Sequence, residues 1–88
     1  MRYQVAFTPR AEREFDGLPR HVQKRVARWM DLLSDAPRRE GTRQLAGQEG
    51  LRRVHAGRDH VIIYTIRDKE VLVLIVRVAH RKHVYRGL

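Results

Sequence analysis

Apolar residues recur at two different spacings along this chain, and the places where the spacing changes set the order of its elements. Arg2 to Phe7 alternates, with Tyr3, Val5 and Phe7 on one side and Arg2, Gln4 and Ala6 on the other, the period of a half-buried strand. Thr8-Pro9 comes next as a helix cap with proline at the first helical position. Ala11, Phe15 and Leu18 then fall at i, i+4 and i+7, the stripe of an amphipathic helix that Gly17-Leu18-Pro19 stops. From Arg20 the residues Val22, Val26, Trp29, Met30 and Leu33 keep helical spacing until Ser34-Asp35 and Pro37. Two helices joined by so short a turn predict an antiparallel hairpin.

Beyond it the period returns to two. Arg38 to Gly50 reads as a polar connector with Gly41, Gly47 and Gly50, the loop most able to move. Leu51–Ala56, His60–Ile66 and Val71–Ala79 are strand-like, separated by turns at Gly57-Arg58-Asp59 and Arg67–Glu70. Val71–Ala79 is almost continuously apolar, so it is expected in the sheet interior. The expected fold is α+β: an N-terminal strand, a helical hairpin and a three-stranded antiparallel meander, forming one sheet with the helices on one face and the other face open. With 88 residues the chain is expected to be a single domain spanning 1–88.

Charge narrows the partners. Nineteen Lys and Arg against ten Asp and Glu give a formal net charge of +9, which favours nucleic acid or an acidic protein as a partner. All the basic residues except Lys24, Lys69 and Lys82 are arginine, whose planar fork grips phosphate bidentately and stacks on bases. The absence of cysteine rules out a disulfide framework and points to the reducing cytoplasm. The longest apolar run, Val71 to Val76, is too short for a membrane span, and no signal-peptide pattern opens the chain.

Strand parity then nominates a site. If Val54 and Ala56 point toward the helices, Arg53 and His55 must point away. The segment from Arg77 through His80, Arg81, Lys82, His83, Val84 and Tyr85 to Arg86 contains no acid, and none follows Glu70. Cleavage of RNA by its own 2′-hydroxyl needs a group to take that proton, a cation at the phosphate and a group to protonate the leaving 5′-oxygen. Arginine, histidine and tyrosine supply all three. A plain phosphate-binding tail is the competing reading. A zinc site at His55, His60, His80 and His83 is disfavoured by the surrounding arginines and by ligand spacing, and no cofactor is expected. Trp29, on the apolar stripe of a helix, belongs with the core.

Taken in order, Phe7-Thr8-Pro9-Arg10-Ala11, Leu18-Pro19, Leu32-Leu33 before Asp35-Ala36-Pro37-Arg38, Leu45-Ala46-Gly47, Gly50-Leu51-Arg52-Arg53-Val54, Ile62-Ile63-Tyr64, Arg77-Val78-Ala79-His80-Arg81 and Val84-Tyr85-Arg86 resemble the RelE/ParE toxin superfamily. The resemblance covers nearly the whole chain. It implies a fold akin to microbial ribonucleases and the toxin role in a type II toxin–antitoxin pair. RelE-like members cleave mRNA in the ribosomal A site without metal, whereas ParE-like members poison DNA gyrase. By position, the family's basic strand residues fall on Arg53 and His55, its C-terminal phosphate-binding arginine on Arg81 and its tyrosine on Tyr85. The arginine usual before the middle strand's Val-Ile-Tyr run is replaced by His60, with Arg58 nearby.

The expected function is therefore a ribosome-dependent mRNA endoribonuclease that inhibits translation. Arg53 and Arg81 would hold the phosphate, Tyr85 or His83 would move one proton, and His55 or His60 the other. Arg52, Arg58, Arg77, His80, Lys82 and Arg86 would extend the nucleic-acid surface. The alternatives are a gyrase-inhibiting toxin without nuclease activity, or a basic nucleic-acid-binding module without toxicity. The expected partners are an acidic antitoxin, the ribosome and mRNA, with DNA gyrase in the second case, and no membrane.

Overall fold

A computed structural model describes residues 2–88. Its elements run β1 (Gln4–Phe7), α1 (Pro9–Asp16), α2 (Arg20–Asp35), β2 (Arg43–Gln44), β3 (Arg52–His55), β4 (His60–Arg67) and β5 (Leu72–His80). The strands form one five-stranded sheet in the order β1-β5-β4-β3-β2. The meander β3-β4-β5 is antiparallel as expected, and β5 is an interior strand. β1 lies parallel to β5, Gln4 opposite Leu72 through Phe7 opposite Ile75, so the sheet is mixed.

Local chemistry explains the helix limits. Thr8, extended at φ −68° and ψ 160°, accepts the Ala11 amide on its hydroxyl at 3.2 Å, and Pro9 occupies the first helical turn. Leu18-Pro19 then separates α1 from α2. Val22, Val26 and Leu33 of α2 are buried, and Trp29 and Met30 pack at the edge of the same core. The end of α2 grips the start of the sheet: the Ser34 hydroxyl donates to the Tyr3 carbonyl at 2.6 Å, and the Tyr3 amide donates to the Ser34 carbonyl at 2.7 Å.

The polar connector holds one element not expected from sequence. Arg43 and Gln44 pair with Arg53 and Arg52, adding the short edge strand β2. Two exposed polar residues carry no alternation, so nothing in the sequence marks them.

The two faces of the sheet differ. On the helix side Val54, Ile62, Tyr64, Val73, Ile75 and Val78 join Ala11, Val22, Val26 and Leu33 in one buried core. Tyr64, fully buried, donates its hydroxyl to the Pro37 carbonyl at 2.7 Å, which satisfies the one polar atom it carries inward. The other face was expected to be open and is partly covered. Val61, Ile63 and Val84 form a second, smaller buried cluster, flanked by Leu45, Leu51, Val76 and Ala79. Strand parity allows both clusters because β4 is buried on both sides from Val61 to Tyr64.

Candidate nucleic-acid interface

On β3 the alternation holds. Val54 is buried in the helix-side core, whereas Arg53 and His55 lie opposite Ile63 and Val61 of the second cluster. Arg53 Nη1 lies 3.1 Å from His55 Nε2. Guanidinium nitrogens only donate, so His55 Nε2 is the acceptor in this contact. A cation and an imidazole lone pair are thus held side by side, half-exposed to exposed, on the side away from the helices.

The segment after β5 folds over the same face. Its turn is closed by the His83 and Val84 amides donating to the His80 carbonyl at 2.8 and 3.0 Å, and by the Lys82 amide donating to His80 Nδ1 at 3.1 Å. Val84 is fully buried against Val61 and Ile63, the cross-strand neighbours of His55 and Arg53. Burying that side chain stabilises the docked segment by roughly 2 kcal/mol. Arg81 is carried to the β3–β4 turn, where its amide donates to the Asp59 carbonyl at 2.7 Å and its Nε lies 3.7 Å from Asp59 Oδ1. Both side chains of that pair are about half exposed, so its strength is small and it holds the Arg81 side chain only weakly. Tyr85, 42% exposed, stands at the other end of the segment in a cleft with Leu45, Ala46, Gln48 and Leu88. Arg53 and His55 touch each other; among the described residues neither Arg81 nor Tyr85 hydrogen-bonds to that pair.

Several expected site residues stand elsewhere. His60 pairs across the strands with His80, their rings 5.6 Å apart and near perpendicular, in alternation with Ile62 and Tyr64 and therefore on the helix side. Burial pushes the His60 imidazole below its ordinary pKa; His80, and His21 and Arg25 of α2, push the same way, and Asp59 opposes them. His60 thus faces α2 rather than Arg53, and His80 shares that position. His83 is exposed and approaches His80 at 6.1 Å, which ties it to the histidine row. Arg52 lies opposite Tyr64 and donates Nη2 to the Thr42 hydroxyl at 2.8 Å, its Nε buried without a partner. Arg77 is buried, 5% exposed, against Glu14. Both arginines are thus engaged within the fold, Arg52 with Thr42 and Arg77 with Glu14. Arg58, Lys82 and Arg86 remain exposed.

Two features are not evident from the sequence. Val84 anchors the basic segment, and its signal was a lone apolar residue inside a cationic run. His21, Lys24, Arg25 and Arg28 fall at helical spacing on the exposed side of α2, and among the described residues none of them forms an ion pair. Lys24 and Arg28, four residues apart, repel each other and leave this side of α2 cationic. Among the described residues no three His, Asp or Glu side chains come together as a metal-binding group. No helix there is long and apolar enough to cross a membrane.

Comparison with known proteins gives consistent relatives. Residues 5–85 match the family described as ParE toxin of type II toxin–antitoxin system, parDE. The chain is 36% identical over 90 residues to Toxin RelG of Mycobacterium tuberculosis, covering 98% of this chain and 99% of that one. The toxin–antitoxin complex RelBE2 of M. tuberculosis contains a chain that superposes with a TM-score of 0.79 at 28% identity, over 92% of this chain and all of that one. The archaeal RelE–RelB complex of Pyrococcus horikoshii gives 0.78 at 25% identity, over 96% of this chain and all of its counterpart.

Proposed function

Because the chain belongs to the RelE/ParE family and is the toxin of a type II toxin–antitoxin system, we infer that it acts as an endoribonuclease cutting mRNA on the ribosome. The observation that carries this reading is the Arg53–His55 hydrogen bond on a sheet face that also receives the Val84-anchored basic segment. With RNA on that face, Arg53 turns to the scissile phosphate and frees His55 Nε2 to take the 2′-hydroxyl proton. The 2′-oxygen attacks phosphorus, Arg53 and Arg81 neutralise the charge gathering on the non-bridging oxygens, and the bond to the 5′-oxygen breaks. Tyr85 donates its hydroxyl proton to that leaving oxygen. The products are a 2′,3′-cyclic phosphate and a 5′-hydroxyl, and the proton passed from His55 to solvent balances the one Tyr85 regains.

The relatives' structures contain RelB antitoxins, and an acidic antitoxin suits this chain for a physical reason. The exposed cations of α2 and of the Arg81–Arg86 segment lie at separate places, so one extended acidic chain could neutralise both. The ribosome, mRNA and the cytoplasm are the setting this activity requires.

A second reading, gyrase inhibition without nuclease activity, is favoured by one observation: His60 faces α2, so β4 adds no cation to the Arg53–His55 pair. Cell-free translation separates the two. Purified protein should generate new mRNA ends on translating ribosomes, mapped by primer extension, and Arg81→Ala should lose them by roughly 10²–10³-fold with an unchanged circular dichroism spectrum. Full cleavage by that variant removes Arg81 from the site. Intact mRNA with the unmodified protein, together with blocked DNA supercoiling by gyrase, replaces the first reading with the second.

A further inference from the structure

A buried ion pair between α1 and β5 holds the backbone on which Tyr85 stands. β1 covers the outer edge of β5 only as far as Ile75, and α1 closes the remainder of that edge. The Thr8 amide donates to the Ile75 carbonyl at 2.9 Å, the Thr8 hydroxyl donates to the Val76 carbonyl at 3.3 Å, and the Val78 amide donates to Glu14 Oε1 at 3.1 Å. Here the ladder between β4 and β5 shifts register, with Ile63 opposite Arg77 and Tyr64 opposite Ile75. The irregularity re-aims the Arg77 side chain, as β-bulges do. Its Nε lies 3.1 and 3.0 Å from the two Glu14 oxygens, and its Nη2 lies 2.8 Å from Oε2.

The other arm of the guanidinium reaches the segment after β5. Nη1 donates to the Val84 carbonyl at 3.0 Å and to the Arg86 carbonyl at 2.6 Å. Those two carbonyls bracket Tyr85, whose own hydroxyl has no hydrogen-bond partner among the described residues. The rigid fork of arginine can satisfy a carboxylate and two carbonyls at once, which a lysine ammonium of similar reach cannot match in geometry.

We propose that Arg77, oriented by Glu14, is a positioning residue that fixes the backbone on either side of Tyr85 on the sheet face that also carries the Arg53–His55 pair, so that α1 sets the geometry of the cleavage site from across β5. This rests on the ribonuclease reading above. A buried charge that loses its partner destabilises a fold strongly. Glu14→Gln is therefore the first variant, because its amide oxygen can still accept from Val78 or Arg77. Arg77→Lys is the second.

The test pairs two measurements on the purified full chain. Amide exchange by NMR should quicken in residues 82–87 of both variants while β4 and the α2 core stay protected. Single-turnover mRNA cleavage on programmed ribosomes should slow by roughly ten- to a hundredfold with ribosome affinity unchanged, the size of effect a misplaced group produces. In a Tyr85→Phe background, Glu14→Gln should cost almost nothing further, because two residues acting through one group are not additive. An undisturbed 82–87 segment, or additive losses in the double variant, overturns the proposal. If the unmodified protein cleaves nothing, the ribonuclease reading fails while the exchange data still decide whether Arg77 and Glu14 hold the segment.

Discussion

The two faces of the sheet are built from the same strands and reach opposite ends. On the helix side Val54, Ile62, Tyr64, Val73, Ile75 and Val78 pack into one apolar core, and the hydroxyl that Tyr64 carries inward is hydrogen-bonded. On the far side fully buried apolar side chains are confined to the island of Val61, Ile63 and Val84, with cationic and aromatic side chains around it. One face supplies the fold's stability. The other uses a small apolar contact to hold a chemically equipped segment in place, which is why its charges can stay near solvent.

This contrast can be broken in order of expected effect. Leu33→Ala, on the sealed side, should destabilise the protein by roughly 2–5 kcal/mol, measured by urea denaturation, and remove toxicity by unfolding the chain. Val84→Ala should cost about 1.5 kcal/mol and act differently: circular dichroism should persist while mRNA cleavage falls, because the segment detaches but the sheet remains. If Val84→Ala unfolded the protein as Leu33→Ala does, the second face would be core after all. The smallest effect concerns His60, at the start of β4 on the helix side. Its folded-state pKa lies below the ordinary 6.5, so the unfolded chain binds its proton more readily. Stability from this group is therefore complete above about pH 6.5 and declines as the pH falls toward the folded value. Thermal scans from about pH 7.5 to about pH 5 should show a drop in Tm that His60→Gln reduces; an identical drop in that variant would assign the sensitivity elsewhere.

Alternation along β3 made the outward placement of Arg53 and His55 legible in the sequence, and the same rule, extended to Arg52 and His60, puts both on the helix side with Val54 and Ile62. Their basic character had argued for the surface, but position outweighs residue type when the strand is continuous. Arg77 was not legible in this way. The register shift opposite Ile63 and Tyr64 breaks the period at that point, and no glycine or other marker announces it. Glu14 was hidden for a related reason: on a short charged helix it reads as one more solvated acid, and its contact on β5 lies 63 residues away in sequence. The helices, their caps and the meander arise from short-range patterns; β2 and the Arg77–Glu14 pair arise from contacts that short-range patterns do not encode.

The parallel pairing of β1 with β5 also orders events in time. β1 is made first, yet the strand that receives its hydrogen bonds is the last to emerge during synthesis. Such distant, parallel contacts form slowly because a long loop must close before any bond rewards it. The assembled surface, with Arg81 and Tyr85 further along still, therefore comes into being only after translation has passed β5. A chain still short of its last residues therefore lacks the face that its completed form presents.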